Sequence, residues 1–237
     1  MEIPLYLAMT ALEFRQCRSL PPNVGWLSCL FSPYGRGLSN IPKALPSGSL
    51  LILSDRTPIC GHDPELIFDM LNHTLSTFSC SGLLLDFERP NNQEAADLVR
   101  KLTQLPHPVA ASAVYAQGLD CAVFVPSPLP NLPLECCLSP WSDREIWLEV
   151  STQPQIITIT ADGSESHTDE IFEPLPYLDI DLRCHYQIYV SETDVCFTLR
   201  RTQEDWEELL HSGSVPIRRA IGLHQEFVHN PRSTPAP

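Results

Sequence analysis

Residues 82–88, Gly-Leu-Leu-Leu-Asp-Phe-Glu, form the stretch that decides the fold. An apolar run with little polar alternation is typical of a parallel strand covered on both faces by other elements. The run ends in two carboxylates, Asp86 and Glu88. Because side chains alternate along a strand, Leu84, Asp86 and Glu88 are predicted to share one face, with the residues between them on the other.

The segments around this strand alternate between strand and helix patterns. Residues 49–54 predict a strand, and a helix start follows, with Asp63 as the N-cap and a proline in the first helical position. Residues 92–105 place their apolar side chains on one helical face, and 109–115 predict the next strand. This order is the signature of a parallel sheet with right-handed crossovers.

The second half of the chain is less regular. Segments 146–150 and 155–161 are predicted to pair as one hairpin, and 186–190 and 195–199 as another. Between the hairpins, residues 162–181 contain seven acidic residues and no Lys or Arg, which predicts a solvated loop.

The end of the chain is predicted to contain a helix, a last strand and a disordered tail. Thr202 begins a capping-type helix start, and a glycine at position 213 is predicted to end that helix. Residues 219–227 predict the last strand. Residues 229–237, with three prolines, predict a disordered tail.

The strand candidates, eight in barrel order, predict an irregular (β/α)8 barrel of the TIM type. Residues 1–228 form its single α/β domain, in which proline-rich loops and hairpins replace some helices. The length of 237 residues suits this fold, which uses about 200–250 residues. An open doubly wound sheet is the alternative. It is disfavoured because residues 10–13, Thr-Ala-Leu-Glu, lack the glycine-rich phosphate turn after the first strand.

Composition excludes several classes of partner and site. A net charge of −14, with 15 basic residues and no run of them, argues against nucleic acid and anionic membranes. The amino terminus lacks the basic region and cleavage site of a signal peptide, and no apolar run approaches the ~20 residues of a membrane span. The nine scattered cysteines fit reduced thiols, so a cytoplasmic location is predicted. No pattern in the sequence indicates an oligomeric state.

No metal or other cofactor is predicted. The sequences Cys60-Gly61-His62-Asp63 and Cys136-Cys137 lack the ligand spacing that a tetrahedral metal site needs.

The carboxylate pair is the best candidate for chemistry. Neighbouring carboxylates repel, which raises the pKa of one of them, and partial burial raises it further. A protonated acid beside an ionised neighbour is what general-acid catalysis requires, and barrel active sites lie at the carboxyl ends of strands. The structural alternative is a charge network in which Arg56, Arg89 or a backbone amide bridges Asp86 and Glu88.

Residues 81–88 resemble the strand-four signature of glycoside hydrolase family 18, the chitinase-like barrels, which reads D-G-x-D-x-D-x-E. The signature's aspartates at its first and fourth positions are replaced here by Ser81 and Leu84. The matching residues are Gly82, Asp86, Phe87 and Glu88.

The resemblance implies retaining hydrolysis of N-acetylated amino-sugar glycans, assisted by the acetamido group of the substrate. Glu88 would protonate the glycosidic oxygen, and Asp86 would orient the acetamido group. The expected partner is a small oligosaccharide. Since Leu84 replaces the aspartate that tunes its neighbour's charge, a carbohydrate-binding barrel without turnover is the second hypothesis.

Further substrate contacts are predicted at strand ends and in the loops that follow them. Aromatic faces bind the C–H faces of sugar rings, and carboxylates accept hydrogen bonds from sugar hydroxyls. The candidates are Tyr115, Asp55, Trp141, Asp143 and Glu226.

Overall fold

Eight parallel strands close into a barrel, which confirms the predicted α/β fold class and excludes the open sheet. The computed structural model describes residues 3–29, 45–54, 63–87, 92–128, 134–153, 155–160, 165–168, 178–180, 184–190, 194–211 and 216–228. The barrel strands are β1 (Leu5–Met9), β2 (Val24–Cys29), β3 (Leu50–Ser54), β4 (Gly82–Asp86), β5 (Val109–Ser112), β6 (Ala122–Val125), β7 (Ile146–Glu149) and β13 (Ile217–Leu223). Each pairs with its neighbour in this order, and β13 closes the ring against β1.

A second sheet lies in the chain between β7 and β13. Its strands are β8 (Gln155–Thr160), β9 (Glu165–Thr168), β10 (Leu178–Ile180), β11 (Cys184–Val190) and β12 (Asp194–Arg200). They are ordered β10-β11-β12-β8-β9, and every neighbouring pair is antiparallel.

Helices connect several barrel strands. In the described ranges they are α1 (Ala11–Gln16), α2 (Pro64–Thr77), α3 (Gln93–Leu102), α4 (Ala113–Ala116), α5 (Leu134–Leu138), α6 (Gln203–His211) and α7 (His224–Val228), with a 3-10 helix at Ser139–Trp141. Side chains cap two of the predicted helices. Asp63 accepts a hydrogen bond from the amide of Glu65 at 3.0 Å, and Asn92 accepts one from Ala95 at 3.2 Å. Within these ranges, no helix has both the length and the apolar character that crossing a bilayer demands.

The hairpin predicted from 146–150 and 155–161 is wrong. Strand β7 pairs in parallel with β6 and β13, whereas β8 pairs with β9 and β12 in the other sheet. The apolar run Ile-Trp-Leu at the start of β7 shows no alternation, which suits a barrel strand covered on both faces. The other predicted hairpin is confirmed by the antiparallel pairing of β11 and β12.

The solvated loop predicted over 162–181 is wrong at 165–168 and 178–180, where β9 and β10 form, and its other residues lie outside the described ranges. Strands β9 and β10 are the two edge strands of the second sheet, and charged residues are common on edges, where they oppose pairing with other chains. The last barrel strand ends earlier than predicted, and α7 follows it. The single-domain boundary at 228 stays a prediction, and the predicted tail at 229–237 lies outside the described residues.

The barrel separates two apolar layers. Leu83, Leu85 and Phe87 belong to the outer layer, between the strands and the helices. The inner layer lies inside the barrel and consists of Tyr6, Ala8, Leu50, Ile52, Leu84, Ala110, Ala122, Phe124, Trp147 and Ile221. Burial of one large aliphatic side chain stabilises the fold by roughly 1.5–3 kcal/mol, so both layers contribute strongly.

Candidate functional site

The side chains of β4 alternate as the sequence predicts. Leu84 lies in the inner layer and is 1 % exposed, while Leu83 and Leu85 pack in the outer layer. Asp86, at the carboxyl end of the strand, is half-buried and faces the barrel interior. Glu88 lies outside the described residues, so its position on the same face stays a prediction.

A cavity of about 410 Å³ opens at the carboxyl ends of the barrel strands, and we call it the mouth cavity. Every barrel strand contributes to its lining. The strand residues that line it are Ala8, Leu27, Ile52, Leu84, Asp86, Ser112, Phe124, Glu149, Ile221, Gly222 and Leu223. Its volume falls in the range of about 300–1,000 Å³ that small-ligand sites occupy.

Ser112 fixes the end of β4 beside this cavity. Its buried hydroxyl donates a hydrogen bond to the carbonyl oxygen of Leu85 at 3.2 Å and accepts one from the amide of Phe87 at 3.0 Å. These two bonds hold the backbone on both sides of Asp86. The carboxylate is therefore carried by a rigid strand end, as a binding or catalytic group requires.

Glu149 is a second carboxylate on the wall of the mouth cavity, and it is not among the site residues predicted from the sequence. It ends β7, separated from β4 in the ring by β5 and β6. Its Oε2 accepts a hydrogen bond from the amide of Ser127 at 3.1 Å. Alternation from the inward-facing Trp147 would have located it, had β7 been assigned to the barrel.

Phe124 is an aromatic residue of the mouth cavity that was also not predicted from the sequence. It belongs to β6 and to the inner layer. Its ring offers the flat apolar surface against which sugar rings pack.

Three of the additional residues predicted to contact the substrate are not among those that line the mouth cavity. Tyr115 belongs to α4 and packs in the outer layer, with its ring centroid 6.3 Å from that of Phe87. Trp141 packs against the outer layer, and Asp143 borders a groove at the amino-terminal ends of β5 to β7. Asp55 lies outside the described residues.

Glu226 lies on α7, close to the chain that follows β7. Its Oε2 accepts hydrogen bonds from the hydroxyl of Ser151 at 2.8 Å and the amide of Thr152 at 2.9 Å. It is not among the described residues that line the mouth cavity. Its contacts stabilise the loop after β7.

The opposite end of the barrel interior is filled. Arg219 donates hydrogen bonds to the hydroxyl of Ser81 at 3.1 Å and to its carbonyl oxygen at 2.9 Å. Its guanidinium carbon lies 4.2 Å from the ring centroid of Trp147 and 5.7 Å from that of Tyr6. Burial lowers the pKa of Arg219, an effect opposed by Tyr6 and Glu145.

Gly82 is required at this filled end. A Cβ atom there would lie 2.6 Å from the carbonyl oxygen of Pro108, 3.0 Å from the ring of Trp147 and 3.1 Å from Arg219. The glycine of the strand-four signature therefore has a packing role in this chain. The first aspartate of the signature is replaced here by Ser81, which accepts hydrogen bonds from Arg219.

The fold is similar to the fold of solved chitinase structures, including one of glycoside hydrolase family 18. The structure of a chitinase from Chromobacterium violaceum matches with a TM-score of 0.52 at 7% identity, over 94% of this chain and 95% of that chain. The GH18 chitinase from Cycas revoluta in complex with (GlcNAc)3 matches with a TM-score of 0.51 at 10% identity, over 92% and 94%.

A spore cortex-lytic enzyme, SleL from Bacillus cereus, has the same fold. It matches with a TM-score of 0.53 at 8% identity, over 94% of this chain and 71% of that chain. No family model matches the sequence, and no curated protein matches it. The likeness therefore lies in the fold, which is glycoside hydrolase-like.

Proposed function

We propose that this protein hydrolyses N-acetylated amino-sugar glycans by a substrate-assisted, retaining mechanism. The observation that carries the proposal is the position of Asp86. It lines the mouth cavity at the end of the fourth strand, in a barrel with the fold of chitinases. In the family that residues 81–88 resemble, this strand end provides the catalytic carboxylates.

The reaction uses two carboxyl groups and the substrate itself. Glu88 donates a proton to the glycosidic oxygen, so the leaving sugar departs as a neutral alcohol. The acetamido oxygen attacks the anomeric carbon, and Asp86 stabilises the positive charge that develops on the acetamido nitrogen. Water then attacks the anomeric carbon and opens the ring intermediate, and its proton returns to Glu88.

The mouth cavity supports binding of a sugar with an acetamido group. Its wall is mostly apolar and includes the ring of Phe124, which suits the methyl group and the C–H faces of such a sugar. Asp86 and Glu149 supply acceptors for hydroxyl and amide protons.

A second candidate function is glycan binding without turnover. It is favoured by Leu84, which presents an apolar side chain to the cavity where the family signature has an aspartate. That aspartate tunes the charge of its neighbour, so its replacement lowers the catalytic efficiency expected of Asp86 and Glu88.

The test is hydrolysis of a chromogenic N-acetylglucosamine oligomer, combined with calorimetric titration of the unlabelled oligomer. We expect Glu88→Gln and Asp86→Asn each to lower kcat by about 100-fold or more. Affinity is expected to be retained in Glu88→Gln and to decrease no more than severalfold in Asp86→Asn, which loses one acceptor. Asp69→Asn, on an exposed part of α2, is the matched control and is expected to keep full activity.

Two outcomes contradict the proposal. Binding of the oligomer without turnover by the unmodified chain supports the second candidate. Turnover that survives Glu88→Gln unchanged removes Glu88 from the mechanism.

A further inference from the structure

Cys17, His224 and Glu13 form a cluster outside the mouth cavity. Cys17 directly follows α1, Glu13 lies within α1, and His224 begins α7. The Sγ atom of Cys17 lies 3.9 Å from Nε2 of His224. Nδ1 of the same ring lies 3.8 Å from Oε1 of Glu13. The imidazole of His224 thus lies between a thiol and a carboxylate.

The imidazole of His224 is buried. His224 is 6 % exposed, and its Nδ1 is buried without a hydrogen-bond partner among the described residues. A buried polar nitrogen of this kind is costly unless it is charged beside an anion or used in a reaction. Glu13 places a carboxylate oxygen 3.8 Å from this nitrogen.

Glu13 is itself fixed in place. Its Oε2 accepts hydrogen bonds from the amide and the hydroxyl of Thr10, both at 2.7 Å, in a capping box at the start of α1. Its other oxygen faces His224. An activated nucleophile has this general arrangement, in which a base lies near the nucleophile and a third group orients the base.

We propose that Cys17 is a reactive thiol site that small-molecule disulfides modify, with His224 as general base and Glu13 as its positioning residue. Cys17 is partly exposed, which the reaction with a reagent from solution requires. At rest its thiol donates a hydrogen bond to the carbonyl oxygen of Ser19 at 2.8 Å. The thiol must turn toward His224 to react.

The chemical step balances without another reagent. The thiol proton passes to Nε2 of His224, and the thiolate attacks one sulfur of the disulfide. A bond forms between Sγ of Cys17 and that sulfur, and the original S–S bond breaks. The leaving thiolate takes the electron pair and accepts the proton from the imidazolium. Cys17 is oxidised to a mixed disulfide, and half of the reagent is reduced to a thiol.

Other described cysteines provide internal references. Burial raises the pKa of Cys80 to about 11, and it also raises the pKa of Cys121 and of Cys137. These thiols are predominantly protonated near neutral pH and react slowly. Cys136 is exposed on α5, and in the described part of the chain no histidine contacts its sulfur. The rate at which Cys136 is modified therefore reports the effect of exposure without a neighbouring base.

The test is the rate at which glutathione disulfide modifies each cysteine of the full chain, followed by acid quenching and site-resolved mass spectrometry. We expect Cys17 to react about tenfold or more faster than Cys136. Equal rates, or a faster rate at Cys136, would overturn the proposal.

Substitutions of His224 and Glu13 distinguish activation of the Cys17 thiol by these residues from exposure of the thiol to solvent. His224→Gln is expected to lower the rate at Cys17 to that of Cys136, whereas His73→Gln, on α2, should leave it unchanged. Glu13→Gln retains a capping side chain but removes the charge, and we expect a smaller decrease of about threefold. An unchanged rate in a folded His224→Gln variant contradicts the role of the base. If that variant does not fold, the comparison within the unmodified chain and the Glu13→Gln rate decide the matter.

Discussion

The two ends of the barrel interior use the same strands and the same inward-facing alternation, but one end is filled and the other is open. Strand β7 shows the contrast within two residues. Trp147 is completely buried against Arg219, and Glu149 lines the mouth cavity. On β4, Gly82 makes room at the filled end, and Asp86 provides a carboxylate at the open end.

This difference indicates that the filled end contributes mainly to stability and that the open end is the one suited to ligand binding. Large side chains at the amino-terminal end remove apolar and aromatic surface from water. At the carboxyl end, small side chains such as Ala8 and Ser112 leave space that a ligand can fill. Substitutions at the filled end should therefore change the free energy of unfolding, and those at the open end should change binding and turnover.

The largest expected effect on the free energy of unfolding is at the filled end. Gly82→Ala forces a methyl group against the Pro108 carbonyl and Trp147, and overpacking of this kind costs about 1–3 kcal/mol. We expect the free energy of unfolding in urea to decrease by that amount, while affinity for an N-acetylglucosamine oligomer is unchanged.

Gly118→Ala is the matched control for this substitution. Gly118 is exposed and has a φ of +75°, and an added Cβ would meet nothing within 4 Å. Its cost is limited to backbone strain of roughly 1 kcal/mol. A loss at Gly82 smaller than the loss in this control would show that the filled end is not tightly packed.

An intermediate effect is expected in the floor of the mouth cavity. Leu84→Asp places a second carboxylate two residues before Asp86, which favours a shared proton between neighbouring acids. We expect kcat toward the chromogenic oligomer to increase about tenfold, equivalent to about 1.4 kcal/mol in the barrier. Leu84→Asn introduces a similar shape without the charge, and equal rates in the two variants would contradict this explanation.

The smallest effect is expected at the rim. Glu149→Gln removes a charge but keeps an oxygen that accepts the Ser127 amide, so the fold should be unaffected. We expect the calorimetric affinity for the oligomer to decrease severalfold, which corresponds to about 1 kcal/mol for one hydrogen bond.

Glu226→Gln is the comparison for Glu149→Gln, because Glu226 bonds to the loop after β7 and not to the cavity. Its affinity for the oligomer should match that of the unmodified chain. Weaker binding in this variant alone would favour the sequence prediction for Glu226 over the contribution of Glu149.

Local patterns predicted the features of the fold that depend on neighbours in sequence. The alternation on β4 was correct for Leu84 and Asp86, because period two is a property of the extended backbone. The helix starts at Asp63 and Asn92 were correct, since a cap is a contact within three residues.

Tyr115 shows where a local pattern is ambiguous. Residues 109–115 are an apolar run that suits a strand or a helix equally well. The strand ends at Ser112, whose hydroxyl binds the backbone of β4, and α4 begins at Ala113. The change of period places the tyrosine ring in the outer layer and not at the cavity.

Features that depend on distant partners were not predicted. Glu149 faces the cavity because β7 pairs with β13, whose sequence comes after the whole second sheet. The contacts of Arg219 with Ser81 join residues 138 apart, and that of Cys17 with His224 joins residues 207 apart. No pattern within one segment encodes such a pairing.

Insertion of the second sheet has a consequence for synthesis of the chain on the ribosome. After β7 ends at Glu149, about 68 residues must be added before β13 begins at Ile217, which takes about 3–14 s at ordinary rates of translation. During this interval the nascent barrel has seven strands and two unpaired edges, on β1 and β7. Those edges are templates for pairing with other chains, so chaperone protection should matter most before the final strand emerges.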